Sequence, residues 1–157
     1  MESYFEAIAA WEISRTINES AWLFPLIQAF HLVALAILAG AVLVVDLRLL
    51  GRGFTTQSVA QVARDARPWL IGGILAMIAT GIPQFISLAT KEYYSQFFWM
   101  KMYFFAAALI FTFTLRQYVT LAPEGRFSPL VGKLVALISI ALWAGVAIEG
   151  RLIGLFS

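Results

Sequence analysis

Four apolar runs, each long enough to cross a bilayer as a helix, leave this chain few folds to choose from. A spanning helix needs about 20 residues. The runs are WLFPLIQAFHLVALAILAGAVLVV at about 22–45, WLIGGILAMIATGIPQFISLA at about 69–89, FFWMKMYFFAAALIFTFTL at about 97–115 and LVGKLVALISIALWAGVAI at about 130–148. Backbone groups in hydrocarbon must be satisfied within their own segment, so these runs are helices. A transmembrane barrel would instead alternate over ten-residue segments.

Composition excludes the alternatives. Of 157 residues 61% are hydrophobic and 13% charged, against about 25% charged in a globular domain. A core of this size cannot hide that much apolar surface, and disorder is excluded by the same numbers. Without cysteine there is no disulfide scaffold and no thiolate-held zinc or iron–sulfur site. A net charge of +2 is no nucleic-acid footprint. The expectation is all-α: an integral membrane four-helix antiparallel bundle forming a single transmembrane domain over 1–157. Tyr4, Phe5, Ile8 and Trp11 share a helical face, so a short amphipathic helix is expected on the outer membrane interface before the first span, the alternative being a frayed acidic tail.

Basic residues near the span ends set direction. Arg48, Arg52, Arg64 and Arg67 follow the first span, and Arg116, Arg126 and Lys133 follow the third. The N-terminal tail has Arg15 against Glu2, Glu6, Glu12 and Glu19, and the second-to-third loop has Lys91. The two arginine-bearing loops are expected in the cytoplasm and both termini on the outer side. That is the topology of a multi-pass protein of the bacterial inner membrane.

Ionisable groups inside spans are costly, about 2.5–3.5 kcal/mol each on insertion scales. His31, the sole histidine, lies nine residues past Trp22, roughly 14 Å deep at 1.5 Å per residue. Gln28 lies one turn earlier. The plain reading is an imidazole hydrogen-bonded across the bundle. The functional one is a metal or haem ligand. Lys101 follows Trp99 and Met100, either snorkelling to the headgroups or held inside with Thr112 and Arg116 on roughly its face. Met77, Thr80, Gln84 and Ser87 stripe the second helix, which Pro83 is expected to kink. Glu149 ends the fourth span as an interface carboxylate or a partner for Arg151 or Lys101. Asp46 and Arg48 read as a charge pair at the inner end of the first. Helices one and three run inward and two and four outward. His31, Gln28, Gln84, Lys101, Trp143 and Glu149 therefore share the outer half, a level at which facing helices can build a cofactor pocket.

Two segments carry a resemblance. FHLVALAILAGAVLVVDLRLLG, with its early histidine, Ala39-Gly40 step and Arg48-Leu49 end, resembles the first helix of a bacterial membrane superfamily that includes CopD-type copper-resistance proteins and HemJ-type oxidases. WMKMYFFAAAL resembles the aromatic-x-Lys segment that opens a later helix there. The length and four spans are similar to the small uncharacterised members. The resemblance implies His31 as an axial ligand of haem b, or of copper as runner-up, with Lys101 a functional neighbour. HemJ-like proteins carry a further histidine where this chain has LRLLG, and their Asn-Glu-x-Pro segment has no counterpart here.

A porphyrin suits a bundle rich in Phe and Ala. One histidine allows a five-coordinate, His/Met, His/Lys or water-ligated haem, and bis-histidine ligation requires His31 from two subunits. Lys101, Trp99 or Trp22 can meet the propionates. The expected pocket is thus His31, Lys101, Gln28, Gln84, Trp99 and Trp143, with His31 as the metal ligand. A redox role, electron transfer or oxidase-like, leads. The alternatives are a small transporter or channel along His31, Lys101 and Glu149, or an accessory subunit of a larger complex. A homo-oligomer, such as a dimer, is expected. No hydrolytic motif is present.

Overall fold

The computed structural model describes the backbone of residues 2–123 and 125–156, and side chains between 4 and 152 except 124. Nine successive segments among the described residues are all helical. Two short helices, α1 (Glu2–Ala9) and α2 (Glu12–Glu19), precede the long α3 (Leu23–Leu49) and α4 (Val59–Ser87). The short α5 (Ala89–Tyr94) leads to α6 (Gln96–Phe111), which runs on through a π-helical turn (Thr112–Arg116) into α7 (Gln117–Thr120). The last helix is α8 (Pro129–Phe156).

Local chemistry sets the helix starts. The Ser58 hydroxyl accepts from the Gln61 N–H at the head of α4, and Ser95 accepts from Phe98 N–H at the head of α6. Gly51 closes the end of α3 at φ +74°, a conformation that suits glycine. Four stretches, Leu23–Leu49, Val59–Ser87, Gln96–Thr120 and Pro129–Leu152, are long and apolar enough to cross a membrane.

The core is a dry layer at mid-height: Ala34, Leu38 and Val42 of α3, Leu70, Ile74 and Met77 of α4, Ala108 of α6, and Trp143 and Val146 of α8. The tightest crossing is α3 on α4. A Cβ on Gly73 would stand 2.9 Å from Leu38 Cβ and 3.0 Å from its Cα, so glycine permits the approach. Outward faces are apolar, with Phe30, Val33, Leu75, Ile82, Ile110, Leu137 and Ile148 all more than half exposed. Water would not tolerate this surface, and acyl chains would solvate it. The fold is that of a multi-pass membrane protein.

α3 packs against α4 and α8, and α6 packs against α8, whereas the backbones of α4 and α6 stand apart and meet through the stacked rings of Phe85 and Phe98, 5.6 Å between centroids. The ring of helices is therefore open on one side.

The expected charge pair at the end of α3 is corrected. Asp46 is fully buried and receives Arg116 Nε at 2.9 Å, while Arg116 Nη2 donates to Val42 O at 3.0 Å. Arg48 turns away and donates to Gln57 O. Helical rotation explains the difference: Asp46 shares the inward face with Val42, whereas Arg48, two residues on, is turned well off it. The π turn ends on Arg116, and Thr112 at its start accepts from Trp143 Nε1 at 3.1 Å.

The N-terminus also differs. Trp11 falls in a break and is exposed, and a second helix follows. Phe5 and Ile8 turn inward while Tyr4 stays exposed. Asn18 Nδ2 donates to Ser87 O and ties α2 to the end of α4.

Candidate functional site

The open side of the bundle becomes a cavity of about 460 Å³ at the end where the chain termini lie. One wall is α4, from Met77 to Phe85. The other is α6, with Phe98, Trp99, Lys101, Met102 and Phe105. His31 of α3 and Val146 of α8 reach it from the back, and Phe5 and Glu92 come from α1 and α5.

His31 is fixed across the bundle. Its Nδ1 lies 2.7 Å from Thr80 Oγ1, and the same hydroxyl stands 2.7 Å from Ala76 O. A threonine has one proton to give. In a helix it goes to the carbonyl one turn back, so Thr80 accepts from His31 and Nδ1 carries the imidazole proton. Nε2 is then left with its lone pair, the state a metal requires. Gly81 makes room for the ring: a Cβ there would stand 3.4 Å from Cε1.

Gln84 Nε2 donates to Thr80 O, in the stretch where Pro83 removes a backbone donor. The helix nonetheless runs unbroken through Pro83. Trp99 Nε1 donates to Tyr93 O. Lys101 makes no hydrogen bond or ion pair with the described residues, and its Cε would lie 3.7 Å from a Cβ on Gly150. Glu92 Oε2 is buried without a hydrogen-bond partner. Burial pushes the Glu92 carboxyl up to about 7, and the charge of Lys101 opposes the shift.

Four of the six expected pocket residues, His31, Lys101, Gln84 and Trp99, line one cavity. Gln28 does not. It is exposed on the outer face of α3, because a step of three residues rotates it about 60° from His31. Trp143 is buried just behind the wall, edge-on to Phe105, and spends its N–H on Thr112. Trp22 is 82% exposed and stands away from the cavity. Glu149 is buried with Oε2 unpaired, forming an ion pair with neither Arg151 nor Lys101. Sequence reasoning missed Glu92, because it sits in a short loop helix where carboxylates are ordinary, and it missed Phe5's inward turn.

The family described as "Family of unknown function (DUF6644)" matches residues 17–157. The chain belongs to DUF6644. The DUF6644 match takes in His31, Thr80, Glu92 and Lys101 and leaves out α1, which carries Phe5. No curated protein and no solved structure matches the chain.

Proposed function

We propose that this DUF6644 protein binds b-type haem in the cleft between α4 and α6, with His31 Nε2 as an axial ligand. The observation that carries the reading is the His31–Thr80 contact: with Thr80 donating to Ala76 O, the imidazole proton sits on Nδ1, and Nε2 of this cavity-lining histidine keeps the lone pair a metal needs. The donor set fits the group. Phe105 and the stacked pair Phe85–Phe98 give a flat apolar ring an aromatic lining, and Lys101 offers a cation to a propionate. Met77 and Met102 line the same cavity and would offer the iron a thioether as a second donor. When bound, haem supplies one-electron redox chemistry, which supports an electron-transfer or oxidase-like role. The chain's own part is to hold the imidazole tautomer, anchor the carboxylates and keep the ring in an apolar slot.

The likeness of the α3 and α6 segments to the CopD/HemJ-like superfamily supports the same reading. Copper is less well served, since among the described residues the cavity offers one imidazole and two thioethers. A polar path through the bundle is disfavoured too. The layer of Leu38, Ile74, Ala108 and Trp143 separates the cavity from the Asp46–Arg116 pair. The arginine-rich loops favour a bacterial inner-membrane orientation with both termini, and hence the cleft, on the outer side.

Titrating hemin into the detergent-purified chain tests the proposal. A saturable Soret shift that His31→Ala abolishes is expected. Identical spectra for wild type and variant would overturn it.

A further inference from the structure

We propose that Glu92 is the proton-exchanging group that governs how tightly the cleft holds a ligand carboxylate on Lys101. The identity of the ligand rests on the haem reading above; the role of Glu92 rests on the cavity itself. Two opposite groups line one apolar chamber without forming an ion pair with each other. Glu92 is only 9% exposed and its Oε2 has no hydrogen-bond partner. Lys101 has an ammonium without a hydrogen bond or an ion pair within 4 Å among the described residues. Buried polar groups are normally paired, so a chamber that leaves the Glu92 oxygen open near an ammonium that it does not bond is shaped for something else to complete it.

A carboxylate completes it in one protonation state. Protonated Glu92 offers an O–H donor beside the Lys101 ammonium, and a ligand carboxylate can accept from both. Ionised Glu92 faces the ligand with a second negative charge in an apolar setting and competes for the same ammonium. Binding of the anion and uptake of a proton by Glu92 are therefore linked, and each promotes the other.

The other charged groups leave this switch to Glu92. On α1 the described titratable side chains are Tyr4 and Glu6, both exposed; on α5 itself Lys91 and Tyr94 are exposed and Tyr93 packs against Phe5. α4 contributes only the neutral Gln84 to the cavity, and α3 contributes His31, held by Thr80. On α8, Glu149 is buried and Arg151 exposed, and neither lines the cavity.

The experiment compares hemin with hemin dimethyl ester, which has the same ring and iron but no ionisable carboxylates. Each is titrated into the purified full-length chain at pH 6 and pH 8, read by the Soret band and by quenching of tryptophan fluorescence. Any pH dependence of the iron centre is common to both and cancels in their ratio. In wild type the preference for hemin over the ester is expected to fall about tenfold from pH 6 to pH 8, the factor given by one pH unit of coupling. Glu92→Gln should hold the preference constant across that range, and Lys101→Met should lose it at both pH values. A wild-type preference that does not change with pH overturns the inference and leaves the haem reading standing; this arm needs no variant. A Glu92→Gln protein that keeps the wild-type pH dependence also overturns it. If neither porphyrin binds, or if His31→Ala binds hemin as wild type does, the haem reading falls and this inference falls with it.

Discussion

A threonine one helix away decides what His31 can do. Thr80 spends its proton on Ala76 O and so takes the Nδ1 proton of His31 as an acceptor. Thr80→Val should therefore weaken hemin binding about 10- to 100-fold, the usual effect of removing a ligand's supporting hydrogen bond. Thr80→Ser should restore most of it, and a Soret titration measures both. The buried ion pair gives a second expectation. Arg116→Leu leaves the buried Asp46 carboxyl without its cation, which should lower stability by about 3–5 kcal/mol. Replacing Asp46 by leucine as well should recover most of that loss, as read by resistance to unfolding in SDS. At this scale the sequence was partly legible. Helix direction and depth placed His31, Gln84 and Lys101 at one level, and the cavity unites them. Depth says nothing of rotation, so Gln28 was placed inward when it points out. The true partner of Asp46 is 70 residues away, beyond the reach of any local pattern.

The long helices were legible because the hydrocarbon core demands uninterrupted apolar length, and their ends were not because that demand stops at the interface. α4 starts at Val59, ten residues before the apolar run, since VAQVARDAR is a good helix outside lipid and Pro68 does not end it. The third span likewise continues past Leu115 to Thr120 through the π turn, an irregularity without a sequence signature. Close packing of α3 on α4 rests on Gly73. Gly73→Val should force the helices apart and lower stability by about 1–3 kcal/mol, measurable as a drop in the thermal unfolding midpoint in detergent. α5 carries the pH response. The folded chain holds the Glu92 proton up to about pH 7, while an unfolded glutamate releases it near pH 4.5. The folded state thus binds more protons within that window, so stability should fall as pH rises from 4.5 to 7 and level off above. Glu92→Gln should remove that slope from a series of unfolding midpoints.

Taken whole, the molecule is a ring of four helices closed at the end away from the termini, where α7 reaches α4, and open toward the termini between α4 and α6. An opening on the side of a bundle faces acyl chains, which suits a lipophilic ligand arriving from the membrane. α1 roofs it, with Phe5 against Tyr93 at 4.8 Å and Phe85 at 5.7 Å between ring centroids. The arginines of the 50–58 and 121–128 connections should keep those loops cytoplasmic. Reporter fusions at Gly53 and at the C-terminus are expected to report opposite sides, and agreement between them would contradict the four-span topology. The central claim, a haem held by the sole histidine, is tested most directly by the absorption spectrum of the protein purified after expression with ample haem. A Soret band is expected in wild type and not in His31→Ala of equal yield and helicity; a colourless wild type, or a variant with an unchanged band, would contradict haem ligation by His31.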